Sequence, residues 1–146
     1  MDQPCVVAVG CDTQSARAVR QAWLHHGQRY LNTVLATSEH SGTSMSVEEI
    51  TQRYALKEAV AKALAVRSDE PWAWRWIAVH KSPAGVEDHD GVPAGAQRWS
   101  VHVTDGALQT AQRQGIDQWR AWSWFCGHGV TASGYATVVA LTGAKS

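Results

Sequence analysis

Apolar and polar positions recur with two different periods along this chain, and the switches between them lay out its elements. "CVVAVG", residues 5–10, is a short β-rich run that predicts a first strand ended by Gly10. After Asp12 the period lengthens. In "TQSARAVRQAWLHH" Ala16, Val19, Ala22 and Trp23 form an apolar side, Arg17, Arg20 and Gln21 lie away from its centre, and Gly27 can end the helix. "YLNTVLATSEH" fits either an extended segment or a short helical turn, and "SGTSMS" is loop. Ser46 with Glu49 three residues on is a capping box opening a long helix. Glu49 is also placed to pair with Arg53 at i, i+4, and "RSDEP" stops the helix.

The period then shortens again. "WAWRWIAVH" sets Trp72, Trp74 and Trp76 against Ala73, Arg75 and Ile77, the alternation of a strand with two unlike faces. "KSPAGVEDHDGVPAGAQ" is a long loop or hairpin tip, and "RWSVHV" is the next strand. "TDGALQTAQRQG" is a helix with Thr104 or Asp105 as its N-cap and Gly115 just past its end. "QWRAWSWFC" and "YATVVALT" are two last strands joined by the turn "GHGVTASG". The order strand, helix, helix, two strands, helix, two strands predicts one α+β domain over residues 1–146 with a largely antiparallel sheet.

Composition narrows the partners. Thirteen basic and thirteen acidic residues balance, so nothing argues electrostatically for nucleic acid or an anionic membrane. No apolar run approaches a membrane span, and the N-terminus does not read as a signal peptide. Three cysteines without a CxxC pair suggest reduced thiols in a cytoplasmic protein. Eight tryptophans point to core and interface packing.

Chemistry is concentrated in "RYALKEAVAKAL", residues 53–64, a helix without a clean apolar stripe. At about 100° per residue, Leu56, Val60, Ala63 and Leu64 share one side. Arg53 and Lys57 fall on its margin, and Glu58 and Lys62 lie together opposite. A helix facing a charged ligand requires charge on two sides, while a solvated one merely tolerates it. Asp12 stands at the end of the first strand, as an N-cap or as a site carboxylate. Two carboxylates on separate elements suit Mg²⁺, which needs few protein oxygens, with lysines to neutralise further phosphate charge. "EDHD", residues 87–90, reads as solvated loop, whereas His128 in "CGHG" is placed at a turn to donate to an anion.

Together these segments resemble the small holo-acyl-carrier-protein synthases, the short class of 4′-phosphopantetheinyl transferases. "VGCDTQS" is similar to the family's opening "hGhDhhE", and "RYALKEAVAKAL" to its signature "RFAAKEAhxKAL". "HGVTASGYATVVAL" is similar to its closing hairpin, and the order is collinear over nearly the whole chain. The resemblance implies a phosphopantetheinyl transferase-like fold and transfer of 4′-phosphopantetheine from coenzyme A to a serine of an acyl carrier protein, releasing adenosine 3′,5′-bisphosphate. It implies Asp12 and Glu58 as ligands of Mg²⁺ (Mn²⁺ being the alternative ion) and Lys62 on the pyrophosphate. Coenzyme A contacts are implied for Arg53, Lys57, Gly91, Pro93 and His128, carrier-protein docking for Arg17 and Arg20, and a homotrimer with shared sites. Four residues depart from the pattern: Ser15 replaces an acidic residue, Val92 a basic one, and Phe125 and Gly127 two serines. A relative that binds nucleotide without transfer, or an oligomeric binding module with a tryptophan-rich interface, are the alternatives.

Overall fold

The computed structural model describes residues 3–40, 45–83, 95–128 and 131–143. The elements are β1 (Cys5–Ser15), α1 (Ala16–His26), α2 (Gln28–Val34), α3 (Val47–Ala63), β2 (Ile77–Lys81), β3 (Gln97–Val103), α4 (Asp105–Arg113), β4 (Gln118–Cys126) and β5 (Ser133–Thr142). The strands form one five-stranded sheet in the order β1-β5-β4-β3-β2, antiparallel at every junction. The α+β expectation therefore holds, and the ambiguous stretch after Gly27 is helical, as α2 and a 3₁₀ turn at Thr37–Glu39. No helix among the described residues is long and apolar enough to cross a membrane.

The site depends on how closely α3 lies on the sheet. It packs across β1, β5, β4 and β2, and β5 meets it with a row of small or short side chains: Gly134, Ala136, Val138 and Ala140 are all buried. Gly10 is the closest approach. A Cβ there would collide with the Ala59 carbonyl oxygen and crowd the Ala63 amide. Gly10 thus does not end β1, as its type suggested. The strand runs on for five residues to Ser15 because glycine here admits a helix rather than a turn.

Three other expectations change. Asp12 is not an N-cap; it lies within β1 opposite Ala136, and Ser15 caps α1 by accepting from the Ala18 amide at 3.3 Å. Glu49 does not pair with Arg53. Ser46 accepts from the Glu49 amide at 3.1 Å as the cap requires, and the Glu49 carboxylate takes Lys81 at 2.6 Å. "WAWRW" is not a strand: residues Trp74–Trp76 form a 3₁₀ turn, and β2 begins only at Ile77. Its rings gather instead of alternating. Trp72 meets Trp74 and Trp76 edge-to-face at 5.7 and 5.9 Å. Aromatic packing of this kind follows quadrupole geometry rather than strand period.

A buried ion cluster fixes α3 from the other side. Glu39, at the end of the 3₁₀ turn, accepts from Lys57 at 2.6 Å and Arg53 at 2.9 Å, and also from the Ala36 amide at 2.8 Å. Lys57 donates onward to the Val34 carbonyl at 2.7 Å, Arg53 to the Val79 carbonyl at 2.5 Å, and the guanidinium lies over Trp99 at 5.0 Å. The Lys57 and Glu39 side chains are both 0% exposed. Burial holds the Lys57 pKa below the ordinary lysine value, opposed by the Glu39 carboxylate.

Removing the carboxylate leaves two buried cations without their counter-ion, so Glu39→Ala should cost about 3–5 kcal/mol of stability in urea unfolding. Gly10→Ala should cost about 1–3 kcal/mol by overpacking. Wild-type midpoints in both variants would show that α3 is not seated by these contacts.

Candidate active site

One strand and one helix bring the predicted chemistry together. On β1 the period of two places Gly10, Asp12 and Gln14 on the face toward α3. Where Gly10 lets α3 close in, Lys62 reaches across to Asp12 Oδ1 at 2.8 Å and to the Cys11 carbonyl at 3.1 Å. Gln14 donates to the other Asp12 oxygen, Oδ2, at 2.7 Å. The Asp12 side chain is only 9% exposed, whereas that of Lys62 is 55% exposed. Glu58 lies one helical turn before Lys62, and Tyr54 one turn before Glu58 on the same face. The Tyr54 ring packs edge-to-face on Trp74 at 5.4 Å.

The electrostatics are those of two carboxylates sharing a small space. The Glu58 pKa is raised, mainly by burial and further by the Asp12 charge, while the Tyr54 hydrogen bond and Lys62 pull it down. Lys62 is raised by its bond to Asp12. Tyr54 is raised by burial and then by the Glu58 carboxylate. A cleft of about 350 Å³ opens beside this group, with Glu58, Lys62, Ala61, Val66, Trp72 and Trp74 among its walls.

The other expected site residues are distributed differently. Arg53 and Lys57 do not reach this space. Both are buried on Glu39, because an ammonium and a guanidinium on the sheet-facing margin of α3 can be desolvated only against a carboxylate. In this structure both side chains therefore face Glu39 rather than the cleft. Gly91 and Pro93, with Val92 between them and the "EDHD" loop before them, lie outside the described residues. His128 is exposed at the turn after β4. Arg17 and Arg20 are exposed on α1 and line a groove of about 380 Å³ with Leu24, Val47, Phe125 and Ala132. Among the described residues no three His, Cys, Asp or Glu side chains converge.

Sequence reasoning missed Glu39, Gln14 and Tyr54. Glu39 was detectable in principle, since two cations beside an apolar helix side require a counter-ion. Tyr54 was visible as the i, i+4 neighbour of Glu58. Gln14 gave no signal beyond its alternation with Asp12.

No protein-family model matches the chain. Over 107 residues it is 34% identical to the holo-[acyl-carrier-protein] synthase of Chloroflexus aggregans, covering 70% of this chain and 74% of that one. It is 28% identical over 111 residues to the synthase of Brucella ovis, covering 74% of each. The fold matches crystal structures of the Plasmodium yoelii holo-ACP synthase (TM-score 0.71, 13% identity, 98% of this chain and 100% of that one). It also matches the Helicobacter pylori enzyme in complex with coenzyme A (TM-score 0.66, 20% identity, 90% and 98%). The chain belongs to the holo-[acyl-carrier-protein] synthase family, which is a family of transferases.

The influence of Asp12 and Lys62 on Glu58 is testable. In an NMR pH titration of the Glu58 carboxyl carbon, Asp12→Asn should lower its pKa and Lys62→Met should raise it. No response to either change would separate the two carboxylates.

Proposed function

We propose that this protein transfers the 4′-phosphopantetheine group of coenzyme A to a serine hydroxyl of an apo acyl carrier protein, releasing adenosine 3′,5′-bisphosphate. The observation that carries this reading is the convergence of Asp12, Glu58 and Lys62 beside a cleft, on a chain of this family. Coenzyme A appears with the Helicobacter pylori relative, and the carrier protein is in the relatives' names.

The donor set fits Mg²⁺. Two hard carboxylates lie close enough that one raises the pKa of the other, a repulsion that a divalent cation relieves. Asp12 and Glu58 would hold the ion, which when bound offsets charge on the pyrophosphate and leaving phosphate. Lys62 is exposed enough to move from Asp12 to a pyrophosphate oxygen, and its pKa keeps it charged. Positioning and charge neutralisation are the main needs of such a phosphoryl transfer. His128, exposed at the hairpin turn, is offered to the 3′-phosphate. Arg53 and Lys57 hold α3 in place instead.

Two departures from the family pattern have structural reasons that leave this reading intact. Ser15 is the cap of α1. Gly127 has φ +92 and would place a Cβ 3.0 Å from the Thr131 carbonyl oxygen, so a serine would be strained there. On α1, Arg17 and Arg20 beside an apolar groove suit an acidic helix of the carrier protein. The exposed Val6, Val7 and Val9 on edge strand β1 support a homotrimer, and the reduced thiols a cytoplasmic location.

Incubation with coenzyme A, Mg²⁺ and an apo carrier protein should add the phosphopantetheine mass to that protein. No mass gain, with coenzyme A still bound, would favour a non-transferring relative. Glu58→Gln should lower kcat about 10²–10³-fold, the scale of losing one preorganised electrostatic group, with folding retained. A near-wild-type rate at limiting Mg²⁺ would remove Glu58 from the site. Reversing both Arg17 and Arg20 to Glu should raise KM for the carrier protein and flatten its salt dependence, leaving KM for coenzyme A alone. An unchanged salt dependence would place docking elsewhere.

A further inference from the structure

Asp12 and Glu58 each have a polar neighbour for which the proposed reaction has no direct use. Asp12 is held at both oxygens, by Lys62 on Oδ1 at 2.8 Å and by the Gln14 amide on Oδ2 at 2.7 Å. Gln14 reaches it because residues two apart on a strand share a face, and Gln14 is half-buried there. Tyr54 stands one helical turn before Glu58 on the same face, and its hydroxyl draws the Glu58 pKa down. The Tyr54 ring is itself fixed, half-buried and set against Trp74 at 5.4 Å with the planes at 73°. A phenylalanine, the residue at this place in the signature that "RYALKEA" resembles, would fill the same space. The hydroxyl is what tyrosine adds, on the face of α3 that carries Glu58.

These contacts have a shared consequence. A carboxylate that turns freely must give up that freedom on taking a ligand, and one already held by a neighbour does not. Lys62 cannot provide this for Asp12 during the reaction if it moves to the pyrophosphate, whereas Gln14 carries no charge and has no reason to leave.

We infer that Gln14 and Tyr54 are positioning residues of the active site, Gln14 fixing the Asp12 carboxylate and Tyr54 that of Glu58 in the orientation that receives a divalent cation. The inference rests on the assignment of Asp12 and Glu58 as the ion-holding pair. Neither residue touches substrate; each acts through the carboxylate that it holds.

The test is calorimetric titration of Mg²⁺ into the protein alone, for wild type, Tyr54→Phe, Gln14→Leu and Gln14→Met, the last keeping side-chain length without a donor. Outer hydrogen bonds to metal-holding carboxylates are typically worth about 10–100-fold in affinity, so each substitution should weaken Mg²⁺ by that factor. Melting temperatures should stay near wild type. In the transfer assay the Mg²⁺ concentration for half-maximal rate should rise by the same factor, and the rate at saturating Mg²⁺ should recover, a split that a loosened fold would not give. Wild-type Mg²⁺ affinity in Tyr54→Phe and both Gln14 variants would overturn the inference while leaving the proposed function standing. A wild-type protein that takes up no Mg²⁺ but still transfers phosphopantetheine would overturn the ion assignment and this inference with it.

Discussion

Glu39 is the constraint on which the rest of the structure turns. A single buried carboxylate accepts from the two cations on the sheet-facing margin of α3, and those cations also donate to carbonyls on both sides: Val34 at the end of α2 and Val79 on β2. Desolvating three charges is expensive, and such a cluster gains little net stability over an apolar one. Its effect is directional. Lys57 and Glu58 are neighbours in sequence, so fixing the rotation of α3 with Lys57 pointing inward obliges Glu58 to point toward the tryptophan-walled cleft. Lys62, one turn further on, is then aimed at β1.

The opposite constraint is steric. Gly10 on β1 and the small residues of β5 let α3 lie so close that a lysine on the helix reaches a strand carboxylate directly. The charged cluster sets how α3 is turned and the glycine sets how near it comes. The candidate site is the product of both, since the charge of Asp12 on β1 is felt by Glu58 on α3. The charges of "RYALKEAVAKAL" therefore divide into two pairs with different surroundings: Arg53 and Lys57 are buried on Glu39, and Glu58 and Lys62 line the cleft.

Much of this was legible beforehand. The helix period, the cap at Ser46 and the antiparallel ending were readable because each rests on local chemistry. So was the Asp12–Glu58–Lys62 group, through collinear motifs rather than through any one of them. What failed depended on contacts distant in sequence. "WAWRW" alternates like a strand, but its rings pack on each other and on Tyr54. Gly10 resembles a strand terminator until α3 is placed over it. Arg53 and Lys57 give no sign in sequence of their buried partner, because Glu39 lies in a segment without clear period. A buried counter-ion is specified by three-dimensional proximity, and no one-dimensional pattern announces it.

The division of the helix charges can be seen directly in crystals soaked with Mn²⁺ and coenzyme A, using the anomalous signal of the ion. The expected result is a Mn²⁺ peak held by Asp12 and Glu58, with Lys62 on the pyrophosphate and with Lys57 and Arg53 still on Glu39. A peak away from both carboxylates, or Lys57 turned out of the core onto a phosphate, would contradict it.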